Sequence, residues 1–247
     1  MAEQLVGLIP AAGKGSRLGL PYPKELYPTI QKGKYKPVSQ FVLENMTAAK
    51  IKGVVFVIDE TKFQLITYFG SGRKFNCNIS YVVQENQPTQ GKSPGLSEAL
   101  DSAYHLTKGK TVVFGMADTI MRPLDVFNQL LREVGEDDVI MGLFRTDHPE
   151  GFGMVELDHK GRAGRIIDKP RFSRLEYMWG CMVWKPVFTD YLNDHLKNCE
   201  ISDFAEVMNS AIKKGIKFRG LRIEDGIYTD IGTFEDIERM EREFYEK

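Results

Sequence analysis

Apolar runs and amphipathic stretches alternate along the first half of the chain. Leu5 to Pro10 is apolar throughout, Val38 to Ile51 carries a helical period, and Gly53 to Asp59 is apolar again. That succession predicts βαβ units on a mostly parallel sheet. The same patterning predicts a short helix over Thr61 to Phe69, a strand over Asn78 to Gln84 and a helix over Ser93 to Leu106 opened by Ser-Pro. It then predicts a buried strand over Thr111 to Gly115, a helix over Arg122 to Val134 and a strand over Asp138 to Phe144.

Past about residue 150 the pattern changes. In "GFGMVELDHKGRAGRIIDKP" two alternating segments flank the turn "DHKGR", which signals a hairpin rather than another crossover. A strand at "YMWGCMVW", helices from Pro186 to Leu196 and from Ser202 to Lys214, a strand at "KFRGLRI" and a charged helix from Thr233 onward follow. With no repeat, low-complexity tract or long linker, the expectation is one unit, residues 1–247. It has an α/β part to about residue 150, a smaller α+β lobe over about 151–247, and a cleft between them.

Composition narrows the partners. The chain has 247 residues, 33 basic and 34 acidic side chains and a net charge of −1. It therefore has no overall field to gather nucleic acid or an anionic membrane, and any polyanion must be met by a local site. Three cysteines, Cys77, Cys181 and Cys199, have no metal-ligand spacing and read as reduced thiols. No leader or membrane-spanning run is legible, so the expected location is cytoplasmic.

The first apolar run opens into "LIPAAGKGSRLGLPYPKELYP". Gly13 and Gly15 match the first two glycines of a dinucleotide fingerprint, but the third position is Leu18, and the P-loop ending GK[ST] is missing. What remains is a strand entering a small flexible turn whose amides can face an anion, with Arg17 and Lys24 placed to add charge-assisted contacts.

This segment resembles the signature of the sugar-1-phosphate nucleotidyltransferases, the nucleotide-sugar pyrophosphorylases, and within them the glucose-1-phosphate thymidylyl- and uridylyltransferase group. "YVVQE", "SPGLSEAL", "VVFGMADTI", "GFGMVELDHKGRAGRIIDKP", "CEISDF" and "YTDIGTFEDI" follow in the family's order over nearly the whole chain. The resemblance implies a Rossmann-like fold with flanking helices, a nucleoside triphosphate and a sugar-1-phosphate as partners, Mg²⁺ as cofactor, and homo-oligomers as a common state. It also implies site residues. Arg17, Lys24 and Lys169 of "IIDKP" are the catalytic cations, and Asp118 and Asp230 are the metal pair. Ala11, Ala12, Gly13, Gly15, Ser16 and Gly95 hold the nucleotide, while Gly153, Asp168, Trp179 and Gly180 surround the sugar. Either Gln84 or Gln90 reads the base, since a glutamine amide can pair with the N3 and O4 edge of uracil or thymine.

Two features keep other substrates and roles open. The segment between Arg17 and Lys24 is shorter than in the hexose-1-phosphate enzymes and resembles cytidylyltransferases acting on phospho-alcohols such as phosphocholine. Trp179 stands where the family more often has a small residue, so either the sugar pocket is reshaped or the indole stacks on the ligand. A catalytically silent nucleotide-sugar sensor on the same fold is the rival from another class. The chain is further expected to lack the acyltransferase or β-helical domain that some relatives append.

Overall fold

The computed structural model describes residues 4–31, 33–85, 94–198 and 202–245. Its strands are β1 (Leu5–Ala11), β2 (Pro28–Gln31), β3 (Lys34–Pro37), β4 (Gly53–Asp59), β5 (Asn78–Gln84), β6 (Thr111–Gly115) and β7 (Thr119–Arg122). β8 (Val139–Arg145), β9 (Gly153–Leu157), β10 (Ala163–Asp168), β11 (Tyr177–Trp184), β12 (Phe218–Arg222) and β13 (Ile227–Asp230) follow. The helices are α1 (Val38–Ala48), α2 (Phe63–Phe69), α3 (Leu96–Ser102), α4 (Tyr104–Thr107), α5 (Val126–Glu133), α6 (Pro186–Asn198), α7 (Phe204–Lys213) and α8 (Phe234–Tyr245).

Nine strands form one mixed sheet that crosses both halves of the sequence. β6, β1, β4 and β5 run parallel, and β8 and β12 form a second parallel pair. Antiparallel β11 joins the two, taking β6 on one edge and β8 on the other. The strands at the centre are apolar on both faces because helices cover both faces. Leu8, Phe114 and Trp184 point into the cluster under α3, α6 and α7, whereas their neighbours Ile9, Val113 and Val183 point into the cluster under α1 and α5. Each such side chain, withdrawn fully from water, contributes roughly 1.5–3 kcal/mol.

The expected β9–β10 hairpin forms. Asp158 Oδ1 accepts from the N–H groups of Lys160 and Arg162, and Gly161 closes the turn at φ +77°. Several expected boundaries move. The helix expected to reach Ile51 stops at Ala48, where Lys50 turns left-handed at φ +61° and the Ile51 N–H returns to Met46 O, a helix-terminating pattern. The helix expected over Ser93 to Leu106 is two, α3 and α4, and Ser93 lies outside the described residues. The helix expected from Arg122 begins at Val126, because Thr119–Arg122 pairs as a strand with β13. Among the described residues no helix is long and apolar enough to cross a membrane.

Candidate functional site

Two strand ends, a short ribbon and a hairpin build the site. β1 runs out at Ala11 into the glycine-rich turn, where Gly15 adopts φ +62°. A Cβ there would lie 3.6 Å from Lys24 Cγ, so the glycine both permits the left-handed backbone and packs against the stem of Lys24. Buried Leu18 anchors the far side of the turn, its N–H bonded to Gly15 O at 3.1 Å.

Beyond the end of β6 the chain reaches Asp118 and continues at once into β7. In the β7–β13 ribbon Asp230 stands opposite Thr119, and the Ile231 N–H donates to Asp118 O at 3.0 Å. Two carboxylates more than a hundred positions apart in sequence thereby come to one corner. Burial pushes the Asp230 carboxyl up to about 6, with Asp118 and Asp236 adding to the rise and Lys24 and Arg239 opposing it. Lys24 Nζ donates to Asp118 Oδ2 at 2.5 Å. Burial alone would lower the Lys24 ammonium, but Asp118, Glu25 and Asp230 outweigh it and the net direction is up. Arg17 reaches the same corner: a Cβ on Gly232 would lie 3.3 Å from Arg17 Nη2 and 3.6 Å from Asp230 Oδ2.

This corner suits Mg²⁺, which takes one or two carboxylates and completes its shell with water and phosphate oxygens. Burial, and after it the neighbouring Asp118 and Asp236 carboxylates, disfavour a charged Asp230, and a bound cation would offset that cost. Among the described residues no group of three or more His, Cys, Asp or Glu is placed to hold a metal.

At the other end, the β9–β10 hairpin presents Gly153, Asp168 and Lys169. Lys169 holds φ +43°, costly for a side-chain-bearing residue, and is fixed by its N–H to Phe152 O at 3.0 Å. Its ammonium lies 3.6 Å from Asp168 Oδ2. Trp179 fills the space over Gly153, where any Cβ would collide with Nε1, and packs edge-on against Phe204 with ring centroids 5.8 Å apart. The close approach that glycine allows at position 153 is taken by the indole. Among the described residues Trp179 Nε1 has no hydrogen-bond partner, and the Gln84 amide nitrogen, at the end of β5, has none either.

One cleft of about 1160 Å³ connects these parts. Arg17, Lys24, Asp118, Asp230, Asp168 and Lys169 line it, as do Ala11, Ala12 and Gly13 of the turn, Gln84 and Gly95 at the expected base end, and Gly153 and Trp179. Gly95 sits just before α3, its N–H bonded to Glu98 Oε2 at 2.8 Å. Three expected residues are not among the lining ones. Gly15 acts through Lys24, Ser16 is exposed, and Gly180 is buried where a Cβ would strike the Tyr228 ring. Gly180 makes room for that ring at the irregularity between Trp179 and Cys181 in the β11–β8 register. Gln90 lies outside the described residues.

The structure adds residues the motifs did not indicate. Lys62 and Glu25 form a buried ion pair at 2.6 Å beneath the turn. Asp236 and Arg239 line the cleft, paired at 2.7 Å. Asp236 was legible in principle: Thr233 and Asp236 exchange bonds at the start of α8 in the spacing of a capping box.

A family model described as nucleotidyl transferase matches residues 6–247. The chain belongs to the nucleotidyl transferase family. This nucleotidyl transferase is 25% identical over 241 residues to the glucose-1-phosphate thymidylyltransferase of Streptomyces antibioticus, covering 95% of this chain and 65% of that one. It is 26% identical to the bifunctional protein GlmU of Methanococcus maripaludis, covering 97% of this chain and 54% of that one. The chain thus spans between about half and two thirds of the length of these curated relatives. The fold is shared with a provisionally named glucose-1-phosphate thymidylyltransferase from Bacillus anthracis, at a TM-score of 0.80, 21% identity, and coverage of 95% and 93% of the two chains. The motif resemblance and the Rossmann-like fold expected from the sequence are both borne out.

Proposed function

We propose that the chain catalyses Mg²⁺-dependent nucleotidyl transfer from a nucleoside triphosphate to a sugar-1-phosphate, giving a nucleotide-sugar and pyrophosphate. The observation that carries this reading is the meeting of Asp118, just before β7, with Asp230, opposite Thr119 at the end of β13, in one cleft with Arg17, Lys24 and Lys169. An acceptor phosphate oxygen attacks the α-phosphorus, the bond from that phosphorus to the bridging oxygen breaks, and pyrophosphate leaves with the electron pair. The nucleophile is already anionic, so no general base is needed. The obstacle is repulsion, about 4 kcal/mol per pair of unit charges at 4 Å and an effective dielectric of about 20. Lys169 neutralises the incoming phosphate, Lys24 the α-phosphate side and Arg17 the leaving pyrophosphate, and the turn amides fix the triphosphate in line. Asp118 and Asp230 would hold Mg²⁺, which when bound would supply further charge neutralisation on the phosphates.

Trp179 favours a second reading in which the acceptor is a compact phospho-alcohol such as phosphocholine, because the indole occupies space over Gly153. The test is pyrophosphate release with Mg²⁺ over a matrix of nucleoside triphosphates and acceptors, including sugar-1-phosphates and phosphocholine. Turnover with a sugar-1-phosphate is expected. Turnover confined to phosphocholine supports the second reading, and nucleotide binding with no turnover anywhere overturns both in favour of a sensor.

A further inference from the structure

Lys62 belongs to none of the motifs and follows β4 by three positions, yet it is buried, with 5% of its surface exposed. Its ammonium has three donors and all three are engaged: Ala11 O at 2.6 Å, Gly13 O at 2.5 Å and Glu25 Oε1 at 2.6 Å. The first two acceptors lie at the start of the glycine-rich turn. The third lies beside Lys24 at its end, so one side chain ties both ends of the segment from Ala11 to Glu25.

The two carbonyls have a geometric consequence. In a trans peptide the C=O of one residue and the N–H of the next point in opposite directions. Drawing the Ala11 and Gly13 oxygens onto Lys62 therefore turns the Ala12 and Lys14 N–H groups away from it. Lys62 does not line the cleft, whereas Ala11, Ala12 and Gly13 do. Ala12 lines the cleft, so its amide is left on the open side, and Lys14, the next exposed residue of the turn beyond the lining ones, has its amide turned away from Lys62 as well.

We infer that Lys62 is a positioning residue that sets the peptide planes of the turn so that the Ala12 and Lys14 amides bind the phosphates of the triphosphate. The inference rests on the functional reading above. It explains why a buried cation sits under a loop that itself binds anions: its charge is consumed by two carbonyls and one carboxylate, and what it transmits to the cleft is orientation.

The experiment measures calorimetric affinity for Mg²⁺-bound UTP, dTTP and inorganic pyrophosphate, and for whichever of glucose-1-phosphate and phosphocholine the wild-type chain binds. The variants are Lys62→Met and the doubly neutral Lys62→Met/Glu25→Gln, which removes the stranded buried carboxylate and so protects the fold. Both are expected to weaken triphosphate and pyrophosphate about tenfold or more, as the loss of a hydrogen bond to a charged group does, with acceptor affinity unchanged. A folded double variant with wild-type pyrophosphate affinity overturns the inference, as does equal loss of pyrophosphate and acceptor affinity, which marks a merely structural role. Amide resonances of the wild-type chain give a measurement independent of any variant. Pyrophosphate is expected to shift Ala12 and Lys14, and unmoved resonances overturn the inference. A wild-type chain that binds no triphosphate and no pyrophosphate overturns the functional reading and this inference with it.

Discussion

Lys24 and Glu25 are adjacent in the chain, and each makes an ion pair with a residue far away in sequence. The Lys24–Asp118 side chains remain 13% and 15% exposed at the edge of an open cleft, whereas Lys62 and Glu25 are 6% and 3% exposed. In the proposed function the first pair would give up its mutual contact for phosphate and metal. The second is buried, with Glu25 at the wall of the cleft, and the Lys62 ammonium is committed to two carbonyls and to Glu25. In the proposed function the same chemistry serves as working machinery in one place and as scaffolding in the other.

The largest expected effect breaks the buried pair. Burial pushes the Glu25 carboxyl up and Lys62 draws it back, so Lys62→Met strands the carboxyl and is expected to cost about 3–5 kcal/mol of folding stability. Adding Glu25→Gln is expected to restore most of that, because replacing both charges removes the desolvation penalty that breaking one exposes. Urea unfolding of the wild type and both variants checks this, and a double variant no more stable than the single one would sink the scaffolding role.

Breaking the open pair is expected to act on rate instead. Lys24→Met removes the cation to which the proposed function assigns the α-phosphate side, and is expected to lower turnover by about two to three orders of magnitude, as the loss of one preorganised donor does. Its cost in stability is expected to be about 1–2 kcal/mol, since water reaches the pair. Pyrophosphate-release kinetics and urea unfolding on the same preparation separate the two effects. Near-wild-type turnover would remove Lys24 from the machinery.

The contrast also explains what the sequence revealed. β1, β4 and β6 are apolar runs long enough to read as buried strands, and the β9–β10 hairpin is announced by its Asp-containing turn. β7 and β13 have four residues each, too few to show a period, and they pair across more than a hundred positions. Asp118 and Asp230 could be named by resemblance, but their meeting is a tertiary fact. Lys62 was invisible for a different reason. A lysine outside any motif reads as solvated surface, and only the fold reveals three acceptors gathered around it.

Within the open corner the two acids are expected to differ in sign. Asp230 titrates at about 6 when folded against an ordinary carboxylate near 3.8. Between those values the folded state holds the proton that the unfolded chain has released, so stability falls as pH rises through that window. The accumulated penalty above it is at most about 3 kcal/mol. Asp230→Asn is therefore expected to raise the melting temperature of the metal-free protein at pH 7.5 and to leave it nearly unchanged at pH 4. Asp118→Asn, which deprives Lys24 of its partner, is expected to lower it at pH 7.5. Melting scans at both pH values, with and without Mg²⁺, check the pair, and equal shifts of the same sign would contradict the assigned electrostatics.

The smallest expected effect lies at the acceptor end, where shape rather than charge distinguishes the site. Trp179 contributes two separable things, the volume it takes over Gly153 and an indole N–H without a partner among the described residues. Trp179→Phe keeps an aromatic ring against Phe114 and Phe204 but withdraws the N–H and the larger ring. Stability is expected to change by less than about 1.5 kcal/mol, as for hydrophobic swaps of modest volume change. The KM for the acceptor is expected to change about threefold to tenfold, with the KM for the triphosphate unchanged, because a single hydrogen bond to the acceptor is worth about that much. If the variant prefers a hexose-1-phosphate over phosphocholine more strongly than the wild type does, Trp179 restricts the pocket by volume. If it instead loses affinity for every acceptor equally, the N–H is what holds the ligand, and the indole is a contact rather than a wall.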